Sequence, residues 1–128
     1  MKRYHSFHTA ARTKAADGEV VSIAGCEYEI VRTSRTVTRD AIIVEPAAAV
    51  LTTRGGIHAL VAGSHAYAWA VSSYANARAA NSTAHAQAAH SAAYAIAAHS
   101  HAYSWDKNST ARALHPLATA HPYKEEPS

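Results

Sequence analysis

The chain predicts an all-β fold: a short parallel β-solenoid of nine-residue repeats behind a small N-terminal β cap. Three observations predict it. From Gly56 a nine-residue unit recurs as GIHALVAGS, HAYAWAVSS, YANARAANS, TAHAQAAHS, AAYAIAAHS and HAYSWDKNS, followed by a weaker TARALHPLA. A fixed short period of this kind is the mark of stacked repeats. Within the unit, Ala holds positions two, four and six almost throughout, as in Ala75, Ala77 and Ala79 or Ala84, Ala86 and Ala88. That is a period of two, which sends alternate residues to opposite faces of a strand. Ahead of the repeats lie short β-branched runs broken by Gly and Pro, which read as strands.

In chain order, residues 1–18 read as a basic arm that a partner would order, with Tyr4, His5, Phe7 and His8 as its sticky surface. Residues 19–55 read as a β-strand cap. GEVVSIAG is bounded by Gly. CEYEIVR puts Tyr28 and Ile30 on one face and Glu27 and Glu29 on the other. Thr36 to Arg39 alternates again, and AIIV runs up to Glu45-Pro46. Arg54-Gly55-Gly56 marks the boundary with the repeats. Residues 56–118 form the repeat solenoid, and residues 119–128 a polar C-terminal tail.

Each unit reads as a strand of about six residues and a corner. Positions eight and nine (Asn81-Ser82, His90-Ser91, His99-Ser100, Asn108-Ser109) are turn-prone polar pairs. The alternative is an Ala-rich α-helix, because Ala is the best helix former. Ala at these positions scatters around a helix without forming a stripe. The recurrent Ser and Asn also compete with helical bonding.

The Ala column is expected to face inward, because the other column holds Arg78 and Gln87 beside its aromatics. Two units then make one flattened coil, and residues eighteen apart stack. This aligns Trp69, Gln87 and Trp105, with Tyr67, His85 and Tyr103 beside them. Leu60, Arg78, Ile96 and Leu114 align on the other side. An exposed strip of Tyr67, Trp69, Tyr103 and Trp105 is the first interface candidate.

Composition narrows the function. The 128 residues make one domain with one Phe, one Met and one Cys, so the core must be thin and built of small residues. The net charge is +3, and from Gly55 to Trp105 the only formal charge is Arg78. The basic front supplies the second set of interface candidates: Arg3, Arg12, Arg32, Arg35 and Arg39. Cys26 stands alone in an apolar stretch and reads as a small buried residue. MKRYHSFHTAARTK has no apolar stretch of a signal peptide, and no run is long enough for a membrane span. The expected compartment is therefore the cytoplasm at synthesis.

No catalytic motif, cofactor site or metal site is expected. The chain lacks G-x-S-x-G, a Gly-rich phosphate loop and a zincin pair. Histidine is abundant from His58 to His121, and rings on adjacent coils could hold Zn²⁺ or Ni²⁺. Their spacing follows the repeat, however, and they read as surface residues filling variable positions. Calcium-binding nonapeptides need Gly and Asp, which these lack. Ice binding needs a flat, uniform, small-residue face. Nucleic-acid binding would use the basic front, but no Arg is threaded between the aromatics of Tyr67 to Trp69 and Tyr103 to Trp105.

The run AxAxAxxS with interleaved aromatics, over residues 56–109, resembles the Ala- and Ser-rich short repeats of β-solenoid proteins from actinobacteria and their phages. More loosely it is similar to the repeats of trimeric adhesin heads. Those families place Gly at the corner, and here only Gly63 does so. The resemblance implies a structural or adhesive role, often in a virion and often trimeric, and supplies no catalytic residues. The expectation is a decorating protein of a phage virion or similar assembly, acting as a homotrimer on a larger body such as a capsid or tail.

Overall fold

The computed structural model describes residues 1–69 and 73–124. The solenoid is present, and its strands come in alternation from two parallel walls. One wall takes β4 (Arg35–Val37), β6 (Ala49–Thr52), β8 (His65–Ala68), β10 (Thr83–Ala86), β12 (His101–Ser104) and β14 (Thr119–His121). The other takes β5 (Ala41–Ile43), β7 (Gly56–Ala59), β9 (Tyr74–Ala77), β11 (Ala92–Ala95) and β13 (Thr110–Ala113). The second wall continues at its N-terminal end into β3 (Cys26–Val31), β2 (Val20–Ile23) and β1 (Arg3–Tyr4), giving eight strands in all. A four-residue helix, α1 (Phe7–Ala10), follows β1.

In the repeats, partners are eighteen apart: Thr83 pairs with His65 and with His101, and Ala92 with Tyr74 and Thr110. The Ala column faces in as expected. Ala66, Ala68, Ala75, Ala77, Ala84, Ala86, Ala93, Ala95 and Ala102 are all 0% exposed. The strands are four residues long rather than six, because position six belongs to the corner. Ala79, Ala88 and Ala97 are only partly buried, and their carbonyls accept the corner's hydrogen bonds. Ala70, the equivalent residue of an earlier unit, lies outside the described residues, as does Ser72.

In the described corners the invariant Ser closes the turn from inside. Its N–H bonds back to the position-six carbonyl, as Ser82 to Ala79 at 3.1 Å and Ser100 to Ala97 at 3.3 Å. Its hydroxyl donates to the same carbonyl, at 2.6 Å from both Ser82 and Ser100. Ser64, Ser82, Ser91 and Ser100 are therefore buried polar groups with their bonding satisfied. Position eight is left-handed in four units, with φ 84° at Gly63, 61° at Asn81, 61° at His90 and 59° at His99, but not at Asn108. A turn with positive φ at its third residue admits Gly and Asn at least cost.

The coils run past both expected boundaries of the repeat. Arg35 pairs with Val50, Ala41 with Ile57 and Ala49 with His65, so residues from 35 onward already build the two walls. At the other end Thr119–His121 pairs with His101–Tyr103, placing the start of the tail in the ladder. Residues 125–128 of that tail lie outside the described residues.

The first eighteen residues fold onto this chain. Ala10 and Ala15 are 0% and 1% exposed. Ser6 caps α1 reciprocally with Thr9. The helix joins a second core, outside the solenoid, of Val21, Ile23, Ile30, Ile42, Val44 and Leu60. This differs from an arm waiting for a partner, and the cause is local: Ile42 and Leu60 form an apolar outer face that Phe7, Ala10 and Ala11 cover. Cys26, expected to be buried, is exposed at the start of β3, beside the turn at Ala24-Gly25.

Candidate interaction surface

The two walls carry different outer faces. On the six-stranded wall, position three supplies Leu51, Tyr67, His85, Tyr103 and His121 as one column. Parallel in-register pairing puts like positions one strand spacing apart, so the rings stack. Tyr67 and His85 centroids are 4.4 Å apart at 8°, His85 and Tyr103 5.1 Å at 12°, and Tyr103 and His121 4.3 Å at 7°. The faces of these rings cover one another, and their edges point outward.

Trp105 extends this ladder sideways. It lies nearly parallel to Tyr103, with centroids 5.8 Å apart, and its Nε1–H donates to His85 Nδ1 at 2.9 Å. That bond makes His85 a neutral acceptor. Burial, with the neighbouring His65 charge second, pushes its pKa down to about 4. Of the four aromatic candidates, Tyr67 and Tyr103 are half-buried within the stack. Trp69 and Trp105 stand out, each 53% exposed.

The eight-stranded wall hides its outer face at the N-terminal end. Its column runs Ile42, His58, Asn76, Tyr94, Arg112. The first three are buried, Ile42 and His58 under the N-terminal segment. Phe7 lies 4.5 Å from the His58 ring and 5.4 Å from Tyr28, and the Arg78 guanidinium sits 4.1 Å over the Phe7 ring. Arg78 Nε also donates to His58 Nδ1 at 2.9 Å. His58 is 4% exposed, and burial together with the Arg78 charge pushes its pKa down to about 3.

The arginine candidates are not one patch. Arg32 binds the carbonyls of Thr13 and Ala15 and the Glu45 carboxylate, so it fastens residues 13–15 to the cap. Arg35 bridges Glu29 at 2.6 Å and Asp17 at 3.2 Å, and Arg39 reaches Glu27 at 3.7 Å. Backbone donation from Arg32 and the Arg35 charge hold the Asp17 carboxyl below its ordinary range. Arg3 and Arg12 are exposed.

Sequence reasoning missed the cluster of Phe7, Tyr28, His58 and Arg78, since its members are local to four separate segments. It could have found most left-handed corners: Gly, Asn or His precedes the Ser where φ is positive, although Asn108 precedes Ser109 without it. Among the described residues, no three His, Cys, Asp or Glu side chains converge on a metal position. Among the same residues no helix is long and apolar enough to cross a membrane. Comparison with protein-family models, curated proteins and solved structures finds no match to the chain.

Proposed function

We propose that this chain is a non-enzymatic structural or decorating protein of a phage virion or a similar assembly, made in the host cytoplasm and resident in the particle. Its repeats act as a scaffold and its six-stranded wall as the contact surface. One observation carries the reading: Trp69 and Trp105 project, half-exposed, from the wall that the N-terminal segment leaves bare, while the opposite wall is partly covered by this chain's own residues. Exposed Trp on a rigid ladder is the usual kind of interface anchor. The occupants proposed are other copies closing as a homotrimer, and a larger body such as a capsid or tail.

The alternatives lose support from specific contacts. Ice binding calls for a flat face of small residues, and this wall carries stacked rings with protruding Trp side chains. Nucleic-acid binding calls for a cluster of free cations, and three of the five front arginines, Arg32, Arg35 and Arg39, are engaged with carboxylates, leaving Arg3 and Arg12 exposed.

The test is light scattering on the purified chain and on Trp69→Ser/Trp105→Ser. The expected result is a trimer that the double variant breaks while its circular dichroism is unchanged. A wild type whose mass never includes a factor of three, or a variant with wild-type assembly, refutes the strip as the contact. Neighbouring genes of metabolism rather than of capsid or tail would argue against the virion.

A further inference from the structure

We propose that the C-terminal end of the solenoid docks on the same end of a second copy, forming a two-fold contact separate from the Trp wall. The two ends of the coil stack differ. At the N-terminal end the core is closed, with Val31 and Val37 0% and 2% exposed. Residues 13–17 are tied across that end by Arg32 and Arg35, and the wall continues into the β2–β3 hairpin.

At the C-terminal end, among the described residues, β13 pairs only with β11 and β14 only with β12. Ala113 is exposed and Ala111 and Ala120 partly so, whereas their counterparts one coil back, Ala95, Ala93 and Ala102, are 0% exposed. Leu114 and Leu117 of this last coil are 58% and 57% exposed. The ladder stops at the pair Tyr103–His121. The next residue is Pro122, which has no N–H to extend it. The end therefore presents two strand edges with unpaired backbone groups around an apolar centre, a surface that templates further strands.

A second copy is the occupant this geometry takes. Head-to-tail stacking needs a matching N-terminal end, and there the walls are uneven: β3, β2 and β1 extend the eight-stranded wall past β4, the last strand of the other, and residues 13–17 are tied beside it. Only C-terminal end against C-terminal end remains, which is an isologous pairing that closes at two and cannot grow into a fibre. The charges permit it: the edge strands carry one cation, Arg112. With Ala111 opposite the partner's Ala111, antiparallel pairing keeps the inner faces together and sets Arg112 against the partner's Thr110 rather than against a like charge.

The area sets the strength. A wall of about seven residues at ~3.3 Å each, across two sheets ~10 Å apart with their outward side chains, presents roughly 450 Å² per copy. The total of roughly 900 Å² is at the lower edge of specific interfaces, so the contact is weak and reversible.

Light scattering and sedimentation on the full chain, from low micromolar to submillimolar, test this beside Ala113→Lys/Leu117→Lys, two exposed positions at this end. The wild-type mass should double with concentration. The end variant should lose the doubling, with a dissociation constant raised at least about tenfold, while Trp69→Ser/Trp105→Ser keeps it. With both contacts intact the assembly is two trimers end to end, so failure of the Trp wall and failure of the end contact give different masses. A mass that never doubles, or an end variant that doubles like wild type, overturns the proposal. Hydrogen exchange on the wild type supplies a readout independent of the variant's folding. The amides of β13 and β14 should gain protection as concentration rises, and unchanged protection there refutes the contact.

Discussion

Replacing His58 with Asn should remove a defined part of the protein's acid sensitivity. Asn keeps an acceptor near the place of His58 Nδ1, which receives the Arg78 N–H, and Asn76 already occupies the next position of the same column. The titratable or charged groups around His58 are Tyr28, Tyr74 and Arg78, and none of them changes charge between pH 7 and pH 5. The sign follows from proton counts. Unfolded, His58 takes its proton near 6.5; folded, it resists until about 3. Between those values the unfolded state binds more protons, so stability falls as pH falls, and the loss levels off below about 3. At pH 5 the loss is about 2 kcal/mol, since each pH unit below 6.5 costs 1.36 kcal/mol. Urea unfolding followed by circular dichroism at pH 7 and pH 5 measures it. The variant should be less stable than wild type at pH 7, yet lose about 2 kcal/mol less on going to pH 5. Equal losses in the two proteins would refute the burial of a neutral His58. His85, held down to about 4, acts in the same direction in both proteins and cancels from the comparison.

Other substitutions probe the corners, the core and the N-terminal segment. Asn81→Ala should cost about 1 kcal/mol by placing a Cβ-bearing residue with no local hydrogen bond at φ 61°, while Asn81→Gly should be within a few tenths of wild type in the same urea titration. Ser82→Ala should cost about 1 kcal/mol, the value of one buried hydroxyl bond to Ala79. Ala84→Leu, at a site 0% exposed between Ala66 and Ala102, should cost about 3 kcal/mol or stop folding, read as a lowered melting temperature. Phe7→Ala should cost about 2 kcal/mol, uncover His58 and raise its pKa toward 6.5 in an NMR titration.

The repeats were legible because every unit has the same length, so the inward Ala and the ring columns could be aligned by counting. The earlier coils were not, because their length varies. Arg35 pairs with Val50 fifteen residues on, Ala41 with Ile57 sixteen on, and Glu29 with Ala41 twelve on. No fixed period covers them, and they read as a separate cap although they belong to the same walls. The hairpin faces of Tyr28 and Ile30 were readable from alternation, and Ile30 is indeed buried while Glu27 is exposed. The order in the first eighteen residues was not readable. Phe7 and Ala10 bury against residues 42–60 and Arg78, and a short polar helix carries no local sign of such distant contacts. The Trp and Tyr columns could be placed, but not their orientation. That the rings meet face to face depends on coil spacing and side-chain rotamers, which composition does not encode.

The core changes character along the axis. Its N-terminal coils are filled by Val31, Val37, Ile43, Val50 and Ile57, and among the described residues the apolar core from Ala66 onward is all Ala. Each later coil therefore brings little hydrophobic gain of its own and depends on a finished neighbour to pair with. Folding of such a chain has a direction. The bulky coils come first in the sequence and leave the ribosome first, so a template exists before the weaker coils arrive. Each following strand pair then closes a loop of only eighteen residues, which keeps the contact order low for a parallel sheet. Unfolding should run the other way, peeling from the alanine end while the N-terminal coils hold.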